Sequence, residues 1–117
     1  MRSILRTEEF DAFYDSLPAS VQNKIKYILY VVEEIRVVST KLVKKLTGTD
    51  FYEMRISTGN EYRVILFAID NENIVEAECV ILLNGFMKKS TKDYKKAIEK
   101  AQQILGKLNY ENEYRHK

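Results

Sequence analysis

The chain is nearly without the residues that most often declare a chemistry. It has one cysteine, Cys79, one histidine, His116, one proline and no tryptophan among 117 residues. A single cysteine excludes an internal disulfide and fits a reducing compartment. One histidine and one cysteine assemble neither a zinc site nor a Ser/Cys–His triad, so no metal and no cofactor are expected. Cys79 reads as a small buried hydrophobe and His116 as a solvated tail residue. The four glycines, at 48, 59, 85 and 106, are isolated, which leaves no Gly-rich loop to cradle a phosphate. No apolar run reaches membrane-spanning length, and "MRSILRTEEFDAF" lacks the apolar core of a signal peptide. These absences point to a cytoplasmic protein with no membrane partner.

What is present is ordinary for a globular domain, with 45% hydrophobic and 31% charged residues, enough to close one core. A single domain is expected over residues 1–108, with 109–117 as a flexible tail. The net charge is only +2, but it is unevenly spread. Residues 64–85 hold four acidic side chains and no basic ones, whereas residues 86–107 hold seven lysines against two acids. Such a basic segment suits a polyanion. For "KKSTKDYKK" taken alone, a solvated lysine-rich helix face is the preferred reading.

Periodicity gives an α+β order. "SILR" is short enough for an edge strand. Thr7 is an N-cap for a helix with Phe10, Phe13, Tyr14 and Leu17 on one stripe, and Pro18 separates it from a longer helix. That second helix aligns Val21, Ile25, Ile28, Leu29, Val32 and Ile35. "VVSTKLVKKLTGTD" reads as a connection anchored by Leu42, Val43 and Leu46, with Lys41, Lys44 and Lys45 outward. Three strand patterns follow, "FYEMRIS", "YRVILFAI" and "IVEAECVILL", as an antiparallel meander. Ser90 with Asp93 then opens a last helix carrying Tyr94, Ala97, Ile98, Ala101, Ile104 and Leu105, with Gly106 as its stop.

The chemistry that remains is cationic. A three-residue turn Thr58-Gly59-Asn60 sets Arg55 directly opposite Arg63 on one sheet face, with Glu53 opposite Ile65. A two-residue loop instead sends the arginines to opposite faces, because one step of register flips every side chain. In the first register two guanidiniums form a fork suited to a phosphate. The competing reading pairs Arg55 with Glu53 or Glu61 on the surface, to little effect. Arg63 is expected to be exposed, so that its loss barely alters folding. Phe86, Lys88, Lys89, Lys92 and Tyr94 interleave rings and cations, as single-stranded nucleic acid requires. Alternatively, Phe86 and Tyr94 simply pack the last helix onto the sheet.

The strand–helix–helix–three strands–helix order, with "KKLTGTDFYEMRISTGNEYRV" and "ILLNGFMKKSTKDYKKA", resembles the RelE/ParE superfamily of bacterial toxins, in its phage-derived HigB-like branch. The resemblance implies a toxin of a type II toxin–antitoxin system that enters the ribosome and cuts mRNA without a metal. In that chemistry the ribose 2′-hydroxyl attacks the adjacent phosphate. By position, it implies Arg63 as the residue stabilising the transition state and Arg55 as a residue that neutralises the phosphate or helps the hydroxyl ionise. Lys88 or Lys89 takes the place near the leaving group, Tyr94 that of an aromatic stacking on a base, and Lys44 and Lys45 contact RNA backbone. Glu53 stands where RelE has a lysine, as a candidate base or an inert surface residue. Asn84 stands where close relatives often carry histidine. The implied partners are the ribosome, mRNA and a helix-turn-helix, HigA-like antitoxin. A non-catalytic ParE-like binder of DNA gyrase and a decayed prophage toxin are the alternatives.

Overall fold

The computed structural model describes residues 1–115, with side chains through Asn109. The elements are β1 (Ser3–Arg6), α1 (Glu8–Asp15), α2 (Ala19–Glu34), β2 (Val43–Lys45), β3 (Tyr52–Thr58), β4 (Asn60–Ala68), β5 (Cys79–Lys88) and α3 (Lys92–Arg115). The strands form one five-stranded sheet in the order β1-β5-β4-β3-β2, with β1 parallel to β5 and the rest antiparallel. This is the expected α+β fold, with one strand more than expected. The segment read as a connection contributes β2, whose Val43 is buried opposite Met54 while Lys44 and Lys45 stay exposed.

The sheet is covered on both faces. Phe10 of α1 and Val21, Ile25, Ile28 and Val32 of α2 pack on Met54, Ile56, Val64, Leu66 and Leu82. On the other face Ala97, Ala101 and Ile104 of α3 pack on Ile65, Ile81 and Leu83. The Thr7 cap holds: its hydroxyl accepts from the Phe10 amide at 3.0 Å and donates to the Leu83 carbonyl at 2.5 Å, tying α1 to β5. Gly106 does not end α3. It lacks the positive φ of a helix stop, and the helix runs on to Arg115. His116 lies outside the described residues. Within the described residues, no helix is long and apolar enough to cross a membrane.

Three local features aim the side chains. Gly59, at φ 87°, makes the β3–β4 turn, and Thr58 pairs with Asn60 across it. Hence the odd register holds, with Arg55 opposite Arg63 and Glu53 opposite Ile65. Next, a bulge in β5 inserts Leu83 between the partners of Ile65 and Leu66. Leu83 and Asn84 therefore both turn toward α3, and Phe86 and Lys88 follow on that face rather than the α1 face. Third, Gly85 turns to α1, where a Cβ would come within 2.3 Å of the Phe13 ring. Its φ is not positive, so the glycine expected to permit an unusual backbone instead makes room for a helix.

The stretch Ile74–Glu78, read as the start of the last strand, stays out of the sheet. Asp70 accepts from the Glu78 and Cys79 amides at 2.9 and 3.0 Å. Arg2, buried, donates to the carbonyls of Ile74 and Ala77 as well as to those of Val32, Ile35 and Arg36 at the end of α2. A cation at a helix C-terminus opposes the helix dipole favourably. Burial, with Arg36 close by, pushes the Arg2 pKa down. No sequence pattern pointed to this residue.

Candidate active site on the α3 face of the sheet

Strand pairing sets three rows of side chains on the face that α3 partly covers. Lys44, Glu53, Ile65 and Asn84 form the first; Arg55, Arg63 and Phe86 the second; Ser57, Glu61 and Lys88 the third. The start of α3 lies over them and lowers Tyr94 onto the second row, where its hydroxyl accepts from Arg63 Nε at 2.9 Å. Asn84 is consumed in seating that helix, donating to the Ala97 carbonyl at 3.1 Å.

Arg63 is 1% exposed, against the expectation of a surface residue. Its Nη1 donates to the Tyr62 carbonyl at 2.9 Å and to Glu61 Oε1 at 3.2 Å. Nη2 makes no hydrogen bond among the described residues. Burial works against its charge, but Tyr94, Glu61 and Glu53 outweigh that and hold its pKa above the ordinary arginine value. Arg55 is looser, with a side chain 38% exposed.

The question of what holds two arginines opposite each other has an answer inside the chain. Glu53, 5% exposed, places Oε1 3.5 Å from Arg55 Nε and Oε2 3.9 Å from Arg63 Nε. Glu53 is therefore no inert surface residue. Its Oε2 has no hydrogen-bond partner. A buried carboxylate with a free lone pair beside two guanidiniums can accept a proton from a group delivered between them.

Tyr94 is built into the cluster rather than displayed. The Phe86 ring meets it edge-on at 5.4 Å between centroids, and Lys88 Nζ lies 5.7 Å from its ring centre. Burial first, and the neighbouring Glu53 second, push its pKa up against the pull of Arg63, so the phenol keeps its proton. Phe86 thus does pack against the last helix, as one sequence reading had it. Lys89 and Lys92 are exposed at the turn into α3, where Asp93 accepts from the Lys89 and Ser90 amides at 2.7 and 3.0 Å. An open groove of about 300 Å³ passes Lys44, Thr47, Glu53, Tyr94 and Ile98.

The structure brings together Glu53, Arg55, Arg63, Phe86, Lys88 and Tyr94, with Lys44 at the groove. Lys45 also borders that groove, but, paired with Tyr52, it turns its ammonium to the opposite face, with Nζ 5.2 Å from the Tyr52 ring centre. Glu61 was considered in the sequence only as a partner for Arg55, yet it binds Arg63. Its position two residues before Arg63 on the same strand was the available signal, since period two puts both on one face.

The fold has solved counterparts. A chain of the intact Escherichia coli RelBE toxin–antitoxin complex is 20% identical with a TM-score of 0.59, over 77% of this chain and 100% of that one. The free E. coli RelE toxin, as a double arginine-to-alanine mutant, is 20% identical with a TM-score of 0.61, over 84% of this chain and 95% of that one. The RelB–RelE complex of Methanococcus jannaschii gives 21% identity and a TM-score of 0.56, over 77% and 96%. No curated protein matches the sequence. The expected RelE-like, phage-derived character holds: the profile of the family "Phage derived protein Gp49-like (DUF891)" matches residues 12–106, and the chain belongs to that family.

Proposed function

We propose that this protein is the toxin of a type II toxin–antitoxin system and an mRNA endoribonuclease that acts on the ribosome, in the cytoplasm. One observation carries the reading. Arg55 and Arg63 face each other on one sheet surface with the Glu53 carboxylate beside both and a free oxygen on it. Like charges placed opposite each other destabilise a strand pair; Glu53 offsets this in the free protein, and the paired guanidiniums remain a fork that a phosphate fits. The RelE fold supports it, since the E. coli and M. jannaschii counterparts are toxins seen with antitoxins.

In the reaction, Glu53 takes the proton of the ribose 2′-hydroxyl. The 2′-oxygen forms its bond to the adjacent phosphorus, and the bond from phosphorus to the 5′-oxygen breaks. Lys88, or Lys89 from the adjoining turn, gives a proton to that leaving oxygen. The products are a 2′,3′-cyclic phosphate and a 5′-hydroxyl. Arg55, exposed enough to move, meets the phosphate on arrival. Arg63, held rigid by Tyr94 and Tyr62, stabilises the charge that gathers on the phosphorane, the kind of preorganised donor whose loss costs about 10²–10³ in rate. Tyr94 positions Arg63, Phe86 steadies Tyr94, and Lys44 and Lys92 follow the RNA backbone. The partner is an antitoxin of the helix-turn-helix, HigA-like type.

Arg63→Ala is a poor probe, since the residue is buried. Arg55→Ala is the better one. Growth arrest on expression, with cut mRNA in the wild type and none in the variant, supports the nuclease. Arrest that survives the substitution, with gyrase-dependent DNA damage, supports a ParE-like binder. No arrest from either chain indicates a decayed toxin.

A further inference from the structure

Two carboxylates hold the arginine pair, and they are held differently. Glu53 is buried between the guanidiniums, and its side chain is 7% exposed. Glu61 has a side chain 45% exposed, yet its Oε1 sits 3.2 Å from Nη1 of an Arg63 that is itself enclosed. On the third row it lies on the side of Arg63 that faces the β3–β4 turn, one row from the Arg55–Arg63 pair. Among Arg63, Arg55, Glu53 and Glu61 the charges cancel, so attraction of an approaching anion falls to the lysines around them, Lys44 and Lys88, and not to the guanidiniums.

We propose that Glu61 is an internal competitor for the substrate phosphate: with Nε taken by Tyr94, a phosphate gripping Arg63 with two hydrogen bonds needs Nη1 beside Nη2, and Glu61 holds Nη1 and must swing away before an RNA chain can seat in that fork. The inference rests on the reading of this site as the RNA-cleaving centre. Glu61 is the carboxylate that can leave, because its side chain reaches water and an exposed charge is easily resolvated, whereas Glu53 is enclosed. The competitor sets a threshold. Isolated phosphates and short free RNA do not meet it. An RNA held by additional contacts, as within a ribosome, supplies the missing binding energy and displaces Glu61. The residue thereby restricts the site to presented RNA and spares free transcripts.

The test measures binding without cleavage. A fluorescein-labelled short RNA with every ribose 2′-O-methylated cannot be cut, and fluorescence anisotropy reads its affinity in the absence of ribosomes. Glu61→Gln is expected to bind it roughly five- to tenfold more tightly than wild type, with a salt dependence steeper by about 0.7 in slope, the share of one added phosphate contact. Glu34→Gln, on α2 and away from the site, removes the same charge and is expected to change affinity by less than about twofold. Adding Arg55→Ala to Glu61→Gln should remove most of the gain, and circular dichroism checks that each variant is folded. Equal gains from Glu61→Gln and Glu34→Gln would reduce the effect to net charge and overturn the proposal. Weaker binding by Glu61→Gln would overturn it too, making Glu61 an orienting residue. Because the probe is inert, a gain in a protein that cuts nothing keeps the competitor and removes the nuclease, and cutting without a gain does the reverse.

Discussion

The two faces of one sheet do opposite things with the same strands. Under α1 and α2 the rows are Met54, Val64 and Gly85, then Ile56 and Tyr62, closed by Phe10 and Ile25. Under the start of α3 the neighbouring rows hold Glu53, Arg55, Arg63 and Glu61, closed by Tyr94. Alternation along β3 and the first half of β4 gives Met54, Ile56, Tyr62 and Val64 charged neighbours that point to the far side. The first face holds the fold together by area removed from water. The second spends part of that stability on enclosing charges, and enclosed charges are held only where their partners are complete. A domain this small can carry a polar cluster because the other face is packed without one.

Breaking each face should show the difference. Phe10→Ala opens a cavity in the apolar face and should cost about 3–5 kcal/mol of unfolding free energy, read from denaturant melts. Arg63→Ala should cost a comparable amount, about 3 kcal/mol, by leaving the Glu53 carboxylate buried beside one loose arginine. If the two faces differ as described, Glu53→Gln combined with Arg63→Ala will recover part of the Arg63 loss. No combination with Glu53→Gln will rescue Phe10→Ala.

Gly85→Ala sharpens the comparison, because it sits on a strand that serves both faces. Its methyl would overlap the Phe13 ring and should cost roughly 1–3 kcal/mol, with Phe13→Ala in the same chain relieving the overlap. Arg55→Ala should change stability by less than about 1 kcal/mol, its side chain being partly solvated. Its effect belongs to cleavage.

The smallest expected effect is at the remote end of the sheet. The Glu78 and Cys79 amides lower the Asp70 pKa, so Asp70 stabilises the fold at pH values above the ordinary carboxylate range. That contribution is lost as pH falls through its depressed pKa. Asp70→Asn should therefore melt below wild type at neutral pH, and the two melting temperatures should converge in acid.

Much of this was legible in the sequence because it depends on local patterns. The stripes of α1 and α2, the Thr7 cap and the strands β3 and β4 follow from spacing alone, whereas β5 begins and ends five residues later than its apolar pattern. The order of elements led to the RelE-like fold. The turn at Gly59 left the arginine register open between two loop lengths, and only pairing resolves it. Burial of Arg63 was not legible, since a strand residue followed by "VILF" reads the same whether a helix end covers it or not. Nor was the β5 bulge, whose single extra residue decides that Phe86 and Lys88 share a face with Arg63. The Arg2 clamp depends on carbonyls 30 or more positions away, and no local pattern encodes such a contact.

The most direct test maps the ends of mRNA cut on translating ribosomes by purified wild-type protein and by Arg55→Ala, both verified as folded. The account predicts cuts bearing a 5′-hydroxyl and a 2′,3′-cyclic phosphate from the wild type, and a loss of about 10²-fold or more in the variant. Undiminished cutting by Arg55→Ala, or fragments ending in 5′-phosphate, would contradict it.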